Sequence, residues 1–359
     1  MKYLDLLIFC LALSCSTFCY GSSGTEGASF LDIPVGARPA ALGSAYSALA
    51  ADAYAPVWNP AGLGFMDHTE VAGQHLSYVD SIHYEYLGLA HPITPHDSLG
   101  ASIQYLGSGN IASTDNNGNS IGNFSSYFAS FNMAYSRRLG DYAAVGLTGK
   151  WLDARIGDFS ASAYAADLGA MLRPNAQWSF GATVTNIGSK LTFINAGDSL
   201  PLAGHLSAAF RPDSHWTVAA EAVEEVNGFT SGRGGVEWRP VDMVALRAGY
   251  KSDTVQGLSA MAGMTVGMGL TLWGSELSYA WLPLGDLGAA QYFSIVVRFG
   301  EENDQQKNLI YYQPNRIHEV QHAYPYDDGS ELDEIIKLIT APEKESVVEA
   351  PLITPEDLR

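Results

Sequence analysis

Ten ionisable residues stand where they could do chemistry: Lys150, Asp167, Arg211, Glu221, Arg233, Glu237, Arg247, Lys251, Glu276 and Arg298. Each belongs to the polar side of a segment whose other side is apolar, so all ten are expected to face one enclosed space. Two uses fit such a set. The charges line a permeation path or hold a ligand, or they satisfy one another across neighbouring strands and brace an interior without any ligand. The second use needs nothing beyond the residues themselves and is the simpler reading. The sequence holds no His-Glu-x-x-His and no phosphate-cradling Gly-Lys-Ser/Thr. His91-Pro92 and His96-Asp97 read as polar turn residues rather than metal ligands, and His68, His75 and His83 beside the early strands read the same way. No catalytic residue, metal or cofactor is expected.

The elements that must position these residues show in a period of two. Tyr127, Ala129, Phe131, Met133 and Tyr135 alternate with Phe128, Ser130, Asn132, Ala134 and Ser136. Trp178, Phe180, Ala182 and Val184 alternate with Ser179, Gly181, Thr183 and Thr185, and Phe293, Ile295, Val297 and Phe299 with Tyr292, Ser294, Val296 and Arg298. Such alternation belongs to strands, not helices. Beyond the first residues no run of 18 apolar residues occurs, so any membrane crossing is made by strands. Strands in hydrocarbon must close into a barrel, because lipid satisfies no backbone group. The expected segments are 68–78, 82–92, 97–107, 125–138, 142–154, 160–173, 176–187, 201–211, 214–225, 231–239, 242–252, 257–268, 270–282 and 290–300. They predict an all-β fold, a transmembrane antiparallel barrel of about fourteen strands.

Turn chemistry supports the division. Arg173-Pro174-Asn175, Arg211-Pro212-Asp213-Ser214 and Arg239-Pro240-Val241-Asp242 are short Pro-bearing connections, whereas 108–124 and 188–200 are long and rich in Gly, Asn and Ser. Tyr78, Tyr84, Tyr86, Trp151, Trp178, Trp216, Trp238, Trp273 and Trp281 lie near segment ends and are expected to form headgroup-level belts.

Composition agrees with a lipid-facing surface: of 359 residues 47% are hydrophobic and 16% charged, against roughly 25% charged in soluble domains. Lys2, the apolar run Leu6–Leu13 and the small-residue exit at Gly21-Ser22 read as a signal peptide over 1–21. Cys10, Cys15 and Cys19 all fall within it, so the processed chain is expected to hold no thiol; a lipoprotein reading through Ala12-Leu13-Ser14-Cys15 stays open. Residues 301–359 hold 14 Asp or Glu against 5 Lys or Arg, a balance of −9 out of −19 for the whole chain. This disfavours nucleic acid as a partner and reads as an acidic periplasmic tail with a short helix from Ser330 whose apolar stripe is Ile335, Ile336, Leu338 and Ile339. That tail is either an inert solvated extension or a docking segment. The expected location is the outer membrane of a Gram-negative-type bacterium, with membrane lipids and the barrel-assembly machinery as partners.

Ahead of the barrel, which is assigned to 67–300, residues 22–66 are rich in Ala and Gly and alternate little. Arg38–Ala51 is expected to form a short helix. Asn59 is read as the N-cap of a second one, with Pro60 in its first position. A compact segment of this kind could fold into the barrel.

The ordered run from Ala28 through Asp32-Ile33-Pro34-Val35-Gly36-Ala37-Arg38-Pro39 to Tyr46, then Ala51-Asp52-Ala53, then Trp58-Asn59-Pro60-Ala61-Gly62-Leu63, resembles the start of PorV/PorQ-like proteins, relatives of the FadL-type long-chain fatty acid transporters. Thr185-Asn186-Ile187-Gly188 is similar to a strand-ending element of that family. The resemblance implies fourteen strands around an N-terminal hatch, with Trp58, Asn59, Pro60, Ala61, Gly62 and Leu63 in the hatch motif. It implies passive uptake of small hydrophobic molecules as the expected role, with a non-conducting accessory that receives exported protein cargo as the alternative.

Overall fold

Alternation repeated along this much of a chain can be accommodated if the polar side is enclosed and the apolar side meets something other than water. The computed structural model describes residues 26–79, 81–226, 230–252, 263–285 and 288–300. The segment read as a signal peptide with its three cysteines, and the acidic tail with its short helix, lie outside the described residues.

The strands are β1 (Thr69–Ser77), β2 (His83–Pro92), β3 (Asp97–Gly107), β4 (Ile111–Thr114), β5 (Ser120–Phe124) and β6 (Ser126–Leu139). They continue as β7 (Ala143–Ile156), β8 (Phe159–Leu172), β9 (Trp178–Gly188), β10 (Leu191–Thr192), β11 (Gly197–Asp198) and β12 (Ala203–Phe210). The last six are β13 (Trp216–Glu225), β14 (Thr230–Val241), β15 (Val244–Lys251), β16 (Met264–Leu272), β17 (Ser275–Pro283) and β18 (Ala289–Phe299). Two hairpins, β4–β5 and β10–β11, form separate two-stranded sheets, and the other fourteen strands close one antiparallel barrel. Closure is made by β1 against β18, in register from Thr69 opposite Phe299 to Ser77 opposite Gln291. No sheet edge is left in the barrel wall, which meets the demand that hydrocarbon imposes.

Side chains divide as the alternation requires. Met133 is 63% exposed and Leu206 61% exposed on the outside, with Leu147, Leu168, Val218, Leu246, Met268 and Ile295 among the same set. Their neighbours Ser130, Asn132, Ser136, Thr148, Asp167, Ser179, Thr217 and Glu237 are buried inside. Trp178, Trp216 and Trp238 are partly exposed on the outer face near the short-turn end, and Trp216 stacks on Trp238 at 5.7 Å between ring centres.

Tyr84 and Tyr86 depart from the expected belt. Both are fully buried and point inward, where the Tyr86 hydroxyl donates to the Ala53 carbonyl at 2.6 Å and the Tyr84 hydroxyl accepts from the Gln104 amide at 2.8 Å. The twelfth and thirteenth barrel strands also differ from the expected 257–268 and 270–282. Their turn is Trp273-Gly274, both residues left-handed, with φ of +49° and +73°.

Connections 93–96, 140–142, 173–177, 211–215, 242–243 and 273–274 share one end of the barrel, here the turn end, from which β1 starts and at which β18 finishes. The opposite, loop end carries β4–β5 and β10–β11. Gly118-Asn119-Ser120-Ile121-Gly122 spells a Gly-x-Ser-x-Gly string, but it lies in the exposed β4–β5 hairpin rather than on a strand-to-helix turn, the setting a nucleophile elbow needs.

Candidate functional site: the segment inside the barrel

The segment 26–66 has little regular structure, so most of its backbone groups lack partners of their own. Such groups cannot be buried unpaired without cost. The inner wall supplies the partners through short hydroxyls. Ser294 Oγ accepts from the Ala37 amide at 3.2 Å, Ser179 Oγ donates to the Ala48 carbonyl at 2.6 Å, Thr148 Oγ1 to Pro56 at 2.9 Å, and Ser136 Oγ to Ala61 at 3.1 Å. Gln74 Oε1 accepts from the Gly36 amide. Small polar residues on the inward parity therefore act as backbone partners for a second part of the same chain.

The expected helix over 38–51 is shorter than its composition suggests. Only Ala37–Ala41 is helical, and the chain then turns through Gly43 and Ser44, each at φ +63°. The wall explains the break. Thr265 Oγ1 accepts from the Gly43 amide at 3.1 Å and donates to the Ala41 carbonyl at 2.9 Å, replacing helical hydrogen bonds. Backbone approaches backbone so closely that a Cβ on Gly249 would stand 2.1 Å from the Gly43 nitrogen.

The second helical expectation holds in place, as a 3-10 helix over Pro60–Phe65. Asn59 caps it, its Oδ1 accepting from the Ala61 amide at 3.1 Å. The Asn59 amide group also donates to the Ser47 carbonyl at 3.0 Å and to Ala170 of β8 at 3.2 Å. One side chain thus joins two stretches of the segment to the wall. Trp58 Nε1 donates to the Val35 carbonyl at 2.9 Å, while Pro60, Ala61, Gly62 and Leu63 are buried with Asn59. Asn59→Ala is expected to lower stability by about 1–3 kcal/mol, since two buried carbonyls lose a donor. Asn59→Asp is expected to cost more, because a carboxylate oxygen would then face those carbonyls. Thermal unfolding in detergent micelles checks the order.

Charge ties the segment to the opposite wall. Arg38 clasps Glu237 of β14 with two bonds, 2.9 and 3.0 Å. Arg247 reaches the same carboxylate at 2.6 Å and also bonds Glu276, and Arg239 bridges Glu237 at 3.3 Å and Glu276 at 3.2 Å. Three guanidiniums thus share two carboxylates. Elsewhere Glu221 accepts from the Tyr46 and Ser47 amides at 3.0 and 2.9 Å and pairs with His205 at 2.9 Å. Glu70 accepts from the Ala53 amide at 3.1 Å and pairs with Arg298 at 2.8 Å.

Within the segment the Tyr46 hydroxyl donates to Asp52. Burial, with Glu70 close by, raises the Asp52 carboxyl to about 6, against the opposing effects of the Tyr46 hydroxyl and Arg38. At the start of the wall, burial works against a charge on His68, but its bonds to Asp67 and Glu70 raise it to about 9.

Of the ten ionisable residues singled out, Glu237, Arg247 and Glu276 come together. Lys150 and Asp167 pair at 2.8 Å. Both hold Asn186, which bends the end of β9 at φ +62°: its amide donates to Asp167 at 2.7 Å and its Oδ1 accepts from Lys150 at 2.7 Å. Arg233 and Lys251 face each other across β14 and β15 near the loop end. Arg211 is half-buried just past β12 at the turn end. Sequence reasoning missed Arg38, Glu70, Gln74, Asp52, His205 and Arg239. The available signal for Arg38 was its isolation, as the one charge between Asp32 and Asp52.

The family described as Type IX secretion system protein PorV matches residues 22–212, more than half of the chain and including the whole luminal segment. The chain belongs to the PorV family. The PorV match and the closed barrel together make it an outer-membrane β-barrel protein. Solved structures share the fold. The Pseudomonas putida toluene transporter TodX superposes with a TM-score of 0.55 at 12% identity, over 74% of this chain and 99% of TodX. The CymD monoaromatic hydrocarbon channel does so with 0.52 at 10% identity, over 75% and 98%. At such identities the likeness concerns architecture alone. No curated protein matches the chain in sequence. In the luminal segment Asn59, Ala61 and Leu63 have no accessible surface.

Proposed function

We propose that this PorV-family barrel is a plugged, non-conducting accessory of protein export across the outer membrane. On this reading the segment 22–66 is its hatch, 1–21 its removed signal peptide and the turn end its periplasmic side. The observation that carries the proposal is the complete burial of Asn59, Ala61 and Leu63 together with the Arg38–Glu237 clasp. A hatch held on so many sides offers no standing path through the lumen. The family's description as a secretion component supports cargo rather than solute as the partner. Lumen charges then serve the hatch, not a permeant.

A second reading, passive uptake of small hydrophobic molecules, draws on the fold shared with the toluene transporter and the monoaromatic channel. One pair of measurements separates them. Liposomes holding the full chain are expected to pass toluene no faster than protein-free liposomes, and to leak once residues 22–66 are deleted. In cells, crosslinking from the loop end is expected to trap exported proteins. Toluene flux through the intact protein with no trapped cargo would replace the first reading by the second.

A further inference from the structure

Among the described residues, the carboxylates buried inside the barrel are Asp52, Glu70, Asp167, Glu221, Glu237 and Glu276. All but one have a basic side chain in contact. Glu70 meets Arg298 and His68, Asp167 meets Lys150, Glu221 meets His205, and Glu237 and Glu276 share the arginines. Asp52 meets no basic side chain at salt-bridge distance among the described residues. Its two oxygens are held by neutral donors, the Tyr54 amide at 3.0 Å and the Tyr46 hydroxyl. A carboxylate enclosed in this way is costly to keep ionised.

The surroundings add to that cost. The next amide along the same turn, that of Ala53, donates to Glu70 at 3.1 Å, so two carboxylates hold consecutive amides. Arg38 reaches Asp52 only through a phenol, its Nη1 donating to the Tyr46 hydroxyl at 3.3 Å. The charged and titratable groups facing Asp52 are Arg38, Tyr46 and Tyr54 of the segment, Glu70 of β1 and Tyr86 of β2. Glu237 and Glu276 lie behind Arg38, and Arg298 and His68 behind Glu70. Burial, then Glu70, raise the carboxyl from 3.8 to about 6, against the Tyr46 hydroxyl, Arg38 and the Tyr54 amide.

We propose that Asp52 is a proton-operated catch of the luminal segment: with its carboxyl protonated the 52–54 turn sits firmly against the wall, and ionisation in place loosens it. The sign follows from linkage. In place the acid titrates higher than it does once the turn swings out to water, so the closed form binds the proton more tightly. Its contribution to seating is fully present below 3.8 and is lost as the pH rises through about 6. Acid therefore tightens the segment, and neutral pH leaves it carrying one charge without a cation in contact. The inference rests on the reading of this segment as a hatch and names what sets its ease of opening.

The test is amide hydrogen exchange of the full chain in detergent micelles at pH 5 and pH 7.5, corrected for the intrinsic exchange rate and read over residues 46–54. Protection is expected to be about tenfold higher at pH 5, the ratio given by titration at 3.8 in the open and about 6 in place. Asp52→Asn, which stays neutral, should lose the difference and keep the higher protection at both values. Tyr46→Phe removes a donor that favours the charged form and should move the midpoint to higher pH, which keeps the question open to decision should the first variant fail to fold. Equal protection at the two pH values, a difference that survives in Asp52→Asn, or an unmoved midpoint in Tyr46→Phe overturns the proposal. Cargo trapping together with pH-independent protection would sink the catch and leave the export reading standing. A segment unprotected at both pH values would remove the hatch, and the catch with it.

Discussion

Glu237→Ala is expected to cause the largest single loss of stability in the molecule, about 3–5 kcal/mol, because it strips a buried charge network of the carboxylate that three arginines share. Arg38, Arg239 and Arg247 all bond this side chain, and Glu237 has no exposed surface. Glu276 alone cannot balance what remains. Arg38→Ala should cost less, since Glu237 keeps two guanidiniums, yet it should release the luminal segment and expose 26–66 to protease. The double variant is expected to cost less than the sum of the two single changes, because the residues share one bidentate contact. Thermal unfolding in micelles and limited proteolysis measure both effects; strict additivity would mean that the clasp contributes nothing.

The second large effect belongs to Gly62→Ala. A Cβ built there would stand 1.5 Å from the Ala50 carbonyl oxygen, and Met171 closes the other side at 3.2 Å. Backbone cannot swing away as a side chain tip can, so the substitution has to shift the Pro60–Phe65 turn or the Ala50 turn bodily. Overpacking of well-filled interiors costs about 1–3 kcal/mol, and backbone collisions lie at or beyond the upper end of that range. Gly149→Ala is the matched control. Its Cβ would meet nothing within 4 Å, and its effect should stay within about 0.5 kcal/mol. Comparable losses in the two variants would show that the tight luminal fit does not limit stability.

How much of this was legible beforehand depended on which partner a residue meets. Where strands face lipid on one side and small polar groups on the other, as in β6 and β9, alternation located them to within a residue or two. β1 and β2 alternate poorly because their inward side is itself apolar: Ala72, Leu76, Tyr84, Tyr86 and Ala90 pack on the luminal segment rather than on water. An aromatic near a strand end was read as a belt residue, and only the segment behind Tyr84 and Tyr86 makes them interior. The β16–β17 boundary was hidden by Trp273, a bulky residue that seldom takes a left-handed conformation. In the hatch motif, Asn59 before Pro60 announced a cap from local chemistry alone. Its bonds to Ser47 and Ala170 could not be read, since they depend on contacts 12 and 111 residues away. Parity likewise named Glu237, Arg247 and Glu276 as inward but could not supply Arg38 as their counterpart.

That counterpart lies at the opposite end of the polypeptide, and this bears on the order of assembly. Ala37 bonds Ser294, 257 positions later, and Arg38 bonds Glu237, 199 positions later. These two contacts of the first part of the chain therefore wait for its last strands, the high-separation topology that slows folding. Because the final hairpin supplies both Ser294 and the seam with β1, sealing the wall and seating the interior are one event. This connectivity favours a ribbon wrapped around its own leading segment over a finished cylinder later filled.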